Sequence, residues 1–394
     1  MKSYLTDRYL VFPDFLIKLN SGAAQGGCLS PTIWLLIFDE ILNLNTTPEC
    51  IKQAYADDTL LMITGVNEEE IQIKTEGITK QIKQRLKKKE LITEDSKTEA
   101  VLLHGPRKAE DMKLTIGEAQ ITAQSSLTSL GFKITRGVRM TKHIKAACEK
   151  ARKVATHFRP LMPNLHGPTF IRRKLLIHAV LSIIFYGIIT WTSDCNLKKN
   201  RIEIRKTLRP LKLSLCSAYR TTSDFCLNII SGIPSEEILI KEKTSKYEKE
   251  DVDEIHRNKM VRWYIEYEKS PNTWIKRIIP ELHKWLNRKH GNPDFYIIKE
   301  VDFFMTQFLS GHGTFKFYLY RFKLDQSPNC HFCSGDVIDD ARHTFFVCDR
   351  FDRLRLEVYA DPEEDLSVEN FQQVALSSPA ACELRTREYP WFMN

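Results

Sequence analysis

Residues 54–61 read Ala-Tyr-Ala-Asp-Asp-Thr-Leu-Leu and set two adjacent carboxylates, Asp57 and Asp58, between short apolar runs. Hard oxygen ligands of this kind hold Mg²⁺. Divalent ions held by carboxylates are the common apparatus for in-line nucleotidyl transfer. A second group has softer donors: Cys330-x2-Cys333-x9-His343-x4-Cys348. Two cysteines separated by two residues form a tight loop that aims both thiolates at one point, and the His and Cys downstream complete a four-ligand set. Thiolate and imidazole favour Zn²⁺ over Mg²⁺, and four protein ligands leave no open position, so the expected role is structural. His331 competes as a ligand from a poor position inside the loop.

The acids must be presented by local structure. Ile51–Ala56 and Thr59–Ile63 read as two strands, which places the Asp pair at a hairpin turn. Neighbouring side chains along a strand point to opposite faces, whereas a turn can bring both acids to one rim. An isolated Asp-Asp is more often a solvated acidic turn, so the surrounding motifs matter. Upstream, Gly22-Ala23-Ala24-Gln25-Gly26-Gly27-Cys28-Leu29-Ser30-Pro31 joins glycines that permit close backbone approach to a glutamine amide. Ser30-Pro31 predicts a helix start, cap then proline, with an apolar helix to Leu44. Downstream, a basic helix over Gln81–Glu90 precedes Ser96-Lys97-Thr98-Glu99 and a strand over Ala100–Leu103. Ser129-Leu130-Gly131-Phe132-Lys133-Ile134 reads as an apolar strand interrupted by glycine.

In this order the motifs resemble the palm of non-LTR retrotransposon reverse transcriptases, in particular the type-1 elements of arthropods. That family has a Gly-x-x-Gln-Gly-x-x-Leu-Ser-Pro loop, a Tyr-x-Asp-Asp hairpin, a Lys-Thr-Glu strand and a Leu-Gly hairpin. Ala24 stands where proline is usual. The resemblance implies that Asp57 and Asp58 hold catalytic Mg²⁺ and that Lys97 sits near the triphosphate. It implies too that Gln25, Gly26, Gly27 and Tyr55 line the nucleotide and template side. A further metal-binding aspartate, on a strand before the glutamine loop, is implied as well. Asp7 and Asp14 do not match it, since Ser3–Arg8 resembles the helix that follows that strand. The expectation is therefore the C-terminal part of a polyprotein, or a truncated genomic copy beginning at an internal methionine, lacking fingers and one carboxylate, polymerase-like yet inactive alone.

The chain has 394 residues and a net charge of +8, enough for two to three domains. Residues 141–220 hold 17 Lys/Arg against Glu149, Asp194 and Glu203, an excess of +14. Such a concentration suits a phosphate-tracking surface, although solvated basic helix faces are common. Helices are predicted over Thr141–Pro163, Thr169–Trp191 and Lys199–Leu215. These resemble a reverse-transcriptase thumb that grips RNA template and DNA primer, with contacts mainly to phosphate. Leu175–Trp191 is apolar but spans 17 residues, short of the ~20 a membrane helix needs, and reads as a buried core helix. The polar N-terminus shows no secretory signal. Ten cysteines without an extracellular context predict a metal site and buried thiols rather than disulfides. Ile238–Asn287 reads as charged and helical, with Trp263, Trp274 and Trp285 at 11-residue intervals expected in the core across more than one helix, since Pro271 interrupts the run. Leu309-Ser310-Gly311-His312-Gly313 before the Cys/His cluster also matches type-1 elements, whose corresponding segment is thought to help recognise RNA or target DNA.

The expected fold is α+β: a partial reverse-transcriptase palm over residues 1–137, a helical thumb over 138–235, and a helical connector over 236–325. A zinc-binding module over 326–350 and an acidic tail over 351–394 complete it. The function implied is RNA-directed DNA polymerase, nuclear by resemblance, with no membrane partner. The alternative is a non-catalytic nucleic-acid-binding remnant. A zinc-stabilised protein-interaction module is a third reading.

Overall fold

A computed structural model of the chain describes residues 6–20, 22–24, 26–44, 49–105, 112–286, 301–353, 355 and 366–377. The chain divides into two units, Met1–Met140 and Thr141–Asn394.

The first unit is built from antiparallel hairpins and two helices. Strands β1 (Arg8–Val11) and β2 (Leu16–Leu19) pair with each other, as do β3 (Cys50–Tyr55) and β4 (Asp58–Ile63). Strands β5 (Lys113–Ile116) and β6 (Ala119–Thr122) form a third hairpin, β7 (Ser126–Ser129) and β8 (Phe132–Thr135) a fourth. Arg8 thus opens a strand rather than closing a helix, because Arg8–Val11 finds a ladder partner across the Pro13-Asp14 turn. Residues 3–5 lie outside the described residues. Helix α1 (Ser30–Leu42) turns Phe38 and Ile41 inward, and α2 (Glu68–Lys87) contributes Ile78, Ile82 and Leu86. These close over Cys50, Ala54, Leu61 and Ile63 of the β3–β4 hairpin. Asn67 caps α2 by accepting the Glu70 amide at 2.8 Å, and its acidic first turn and basic last turn complement the helix dipole. A bond from the Thr115 amide to the Gln72 side chain fastens the third hairpin to the same helix.

Two local expectations change. Ser30 is the first helical residue, not the cap; its hydroxyl turns back to the Ala24 carbonyl at 2.5 Å. Ala100–Leu103 forms no strand: only Val101 bridges Gln124, because Gln124 has just left the third hairpin and offers no ladder.

The second unit is helical. Helices α3 (Thr141–Phe158), α4 (Phe170–Ile184) and α5 (Lys198–Cys216) interlock through Ile144, Cys148, Ala151, Ile177, Val180, Ile204 and Leu208, all buried. The segment Phe170–Thr190 is long and apolar enough to cross a membrane by composition. Within α4, however, Arg173 is buried and donates to the carbonyls of Pro168 and Ser214, each at 2.9 Å, of Met162 at 3.4 Å, and of Pro163. The basic excess is also partly internal. Arg152, Arg201, Arg205 and Arg209 pair with Glu203, Glu237, Glu236 and Asp224. Lys212 is buried, donating to the Asn228 side chain at 2.5 Å and to the Pro234 carbonyl at 2.8 Å.

Helices α6 (Asp224–Ser231), α7 (Glu236–Tyr247), α8 (Val252–Lys269), α9 (Trp274–Ile278), α10 (Leu282–Leu286) and α11 (Phe303–Ser310) continue the unit. Trp263 and Trp285 are buried; Trp274 is half-buried, packed edge-on against Phe308, and its indole donates to the Phe308 carbonyl at 2.7 Å. Helix α12 (Lys316–Arg321) leads into the Cys/His segment, and α13 (Phe371–Ser377) follows it.

The expected thumb, connector and zinc module are not separate bodies. Phe308 stacks on Phe345 with centroids 4.1 Å apart, and Phe371 lies against both rings. One aromatic core therefore spans the connector, the Cys/His segment and α13, and the Thr306 hydroxyl of the connector donates to the Cys216 carbonyl of α5 at 2.6 Å. Nor is 351–394 wholly a tail: Phe371, Gln372 and Ala375 are buried. The Gln372 amide accepts the Glu281 N–H at 2.8 Å and donates to the Glu281 carbonyl at 2.7 Å. Residues 356–365 and 378–394 lie outside the described residues.

Candidate active site and metal centre

The β3–β4 register pairs Tyr55 with Asp58, leaving Ala56 and Asp57 as a two-residue turn. Ala56 takes a left-handed φ of 54°, which lets the chain reverse so tightly. Asp57 therefore stands at the tip and Asp58 opens the returning strand. By register, Asp58 shares a face with Tyr55, Ile51 and Met62, opposite the face that packs on the helices. Tyr55 is exposed on that outer face, as are both carboxylates. Neither acid has a hydrogen-bond or ion-pair partner among the described residues, so both keep all their lone pairs for a ligand. The tip is held from below by the Trp34 indole of α1, which donates to the Ala56 carbonyl at 2.8 Å.

The same helix anchors the glycine loop. Gly27 donates to the Ala24 carbonyl at 3.1 Å and Ser30 to the Gly27 carbonyl at 3.2 Å, with Gly26 at φ 81°. Helix α1 thus connects the loop at its N-terminus to the acidic tip through Trp34. Gln25 lies outside the described residues. Lys97 ends a short 3₁₀ turn, Asp95–Lys97, with its side chain exposed and in no ion pair among the described residues. Asp95 of that turn pairs with Lys83, which holds its carboxyl below the usual range. The last hairpin turns through Leu130 and Gly131, at φ 48° and 81°. The glycine read from sequence as a strand interruption is therefore a hairpin turn.

The metal centre is the stronger geometry. The ligand atoms of Cys330, Cys333, His343 and Cys348 lie within 4.8 Å of one another. Cys348 Sγ is 3.8 Å from both Cys330 Sγ and Cys333 Sγ, and Cys333 Sγ is 3.5 Å from His343 Nε2. A tetrahedron with metal–sulfur bonds of about 2.3 Å and a metal–nitrogen bond of about 2.0–2.1 Å has S···S edges of about 3.8 Å and S···N edges of about 3.6 Å. The three measured edges fit. Local bonds set the ligands: Cys330 N–H to Val337 O at 2.8 Å closes the cysteine loop, and Asp340 accepts the His343 amide at 2.8 Å. Burial, reinforced by the neighbouring thiols, pushes Cys348 up to about 12, a load that a bound cation would reverse. His343 Nδ1 is buried without a partner among the described residues, and Nε2 is the nitrogen that faces the sulfurs. His331 is exposed and outside the four. The Asp339-Asp340 pair before His343 fits the type-1 pattern in sequence, and the fold shows what Asp340 does there, accepting the His343 amide.

Residues 5–134 match the family model "Reverse transcriptase (RNA-dependent DNA polymerase)". Over 362 residues, 86% of this chain and 35% of the relative, the chain is 21% identical to a 115 kDa protein of the type-1 retrotransposable element R1DM of Drosophila melanogaster. It thus spans about a third of that protein's length. It is 20% identical over 361 residues to a retrovirus-related Pol polyprotein from the type-1 retrotransposable element R1 2 of Nasonia vitripennis, covering 85% of this chain and 86% of the relative. No solved structure matches. Residues 5–134 are a reverse transcriptase domain, in a chain related along most of its length to Pol proteins of type-1 retrotransposable elements.

Proposed function

We propose that the chain is the RNA-directed DNA polymerase portion of a non-LTR retrotransposon polyprotein. The observation that supports this best is the unpartnered Asp57–Asp58 pair on a helix-anchored hairpin tip, inside the segment matching reverse transcriptases. Two free carboxylates suit Mg²⁺, which is commonly held by one or two carboxylates with substrate phosphates and water completing its shell. Bound there, Mg²⁺ would supply the charge that activates a primer 3′-hydroxyl and stabilises departing pyrophosphate. In this reading Asp57 and Asp58 orient the reacting phosphate, Tyr55 and Gln25–Gly27 line the nucleotide and template side, and exposed Lys97 neutralises triphosphate charge. The first unit acts as palm and α3–α5 as thumb, its exposed lysines at 145, 150, 153, 198, 199 and 206 meeting template–primer phosphates. Zn²⁺ is the ion we assign to the Cys/His centre, and the nucleus is the proposed compartment.

RNA-templated primer extension in Mg²⁺ by the purified chain, with Asp57→Asn as control, tests the proposal. Extension lost in the variant supports it; no extension with template–primer still bound refutes catalysis. One observation favours a second reading, a non-catalytic nucleic-acid-binding protein: among the described residues no third metal-ligating side chain joins Asp57 and Asp58.

A further inference from the structure

The residues 316–324, Lys-Phe-Tyr-Leu-Tyr-Arg-Phe-Lys-Leu, alternate rings and cations. In a protein core the rings would face inward, yet Phe317, Tyr320 and Phe322 are 44%, 48% and 42% exposed. Phe317 and Tyr320 stand three apart on α12 and so share a helix face. Phe322, just past the helix, packs its ring 4.8 Å from Tyr318.

The platform beneath is rigid. Lys316 and Phe317 donate their amides to Asp339, to its carboxylate at 3.1 Å and its carbonyl at 3.0 Å. Tyr318 is held from behind by the Thr221 hydroxyl at 2.6 Å, which also meets His312 Nδ1 at 3.0 Å. His312 is the histidine of Leu-Ser-Gly-His-Gly. Gly311, at φ 66°, ends α11 and swings that histidine toward Tyr318, whose ring lies 4.8 Å away.

Charge is distributed unevenly around the rings. Most acids of this segment are engaged locally: the Asp325 carboxylate accepts the Gln326 and Ser327 amides, the Asp339 carboxylate the Lys316 amide and the Thr344 hydroxyl, and the Asp340 carboxylate the His343 amide, while exposed Asp336 accepts from the Asn329 side chain. Arg321, Lys323 and Arg220 are exposed. The surface around the rings thus presents these three cations, while Asp325, Asp339 and Asp340 are half-buried in local hydrogen bonds.

We propose that Phe317, Tyr320 and Phe322, with Arg321, Lys323 and Arg220, form a stacking platform for single-stranded nucleic acid. The inference rests on the nucleic-acid-handling reading above but not on catalysis. Rings standing singly on a short helix reach only unpaired bases, because duplex bases are already stacked. Cations between the rings match the phosphates that accompany each base.

The test uses the full chain and fluorescein-labelled 20-mer oligouridylate, with an abasic strand of equal length as the second probe. Tyr320→Ala should weaken oligouridylate binding about tenfold, within the range for one aromatic–base stack. Tyr320→Phe, which keeps the ring, should bind as the parent does. On the abasic strand parent and Tyr320→Ala should be equal. The double change Arg321→Gln, Lys323→Gln should instead reduce the slope of log affinity against log salt by about 1.4. Equal oligouridylate affinity for parent and Tyr320→Ala overturns the platform and leaves this surface to a protein partner. An equal loss on the abasic strand also overturns it. Failure of primer extension in a parent that still discriminates oligouridylate from the abasic strand would defeat the polymerase reading alone.

Discussion

Replacing Arg173 by Met isolates a buried cation of the second unit. Its guanidinium reaches carbonyls on three stretches of chain: Met162–Pro163, Pro168 and Ser214 of α5. Two of these bonds are 2.9 Å and a third is 3.4 Å and weak. A hydrogen bond to a charged group contributes about 1.5–3 kcal/mol, and a buried carbonyl left without a donor costs about 1–3 kcal/mol. Against this, methionine fills most of the space and removes a charge whose burial is itself unfavourable, as the lowered Arg173 pKa indicates. The expected net loss is about 3–5 kcal/mol, a large share of ordinary domain stability. Urea unfolding followed by tryptophan fluorescence reads it directly, since Trp191 and Trp285 are buried in the same unit. With a urea dependence of about 3 kcal/mol per molar, the midpoint should fall by about 1–1.7 M. Arg173→Lys should fall between, because one ammonium cannot span the carbonyls that a planar fork reaches. A midpoint within about 0.3 M of the parent for Arg173→Met would refute the reasoning.

Other outcomes follow from the same geometry. Cys333→Ser should reduce bound zinc from about one equivalent to none by metal analysis, leaving the first unit folded; equal zinc content would sink the assignment. Lys212, pulled down to about 8 by burial, binds fewer protons folded than unfolded between about pH 8 and the usual lysine value near 10.4. Its penalty is therefore full below about pH 8 and relieved as pH rises. The parent should gain on the order of 2–3 kcal/mol relative to Lys212→Met between pH 7 and 10.5, and parallel stability profiles would count against this.

The acidic hairpin was legible because apolar runs on both sides of Asp57–Asp58 leave a tight turn as the economical solution. The Cys/His centre was legible because metal geometry writes itself into spacing. What the sequence hid were partnerships across elements. The excess of +14 looked like open surface, yet Arg152, Arg201, Arg205 and Arg209 answer to acids on neighbouring turns and helices, and Arg173 and Lys212 to main-chain carbonyls and Asn228. Phe371 and Gln372 were masked by acidic surroundings, although a single ring and a single amide suffice to dock a short helix. The division of Trp263, Trp274 and Trp285 among separate helices was legible from Pro271, and they fall in α8, α9 and α10.

The Gln372 amide that mimics a strand neighbour for Glu281 has a consequence in time. Its two bonds join residues 91 positions apart. A ribosome adding about 5–20 residues per second needs on the order of ten seconds to travel that distance. Throughout that interval the main chain at Glu281 lacks its partner, and the Phe308 and Phe345 rings, once made, wait for Phe371. The second unit is thus closed only when residues 371 and 372 have been added, and until then its unfinished aromatic core is open to a chaperone.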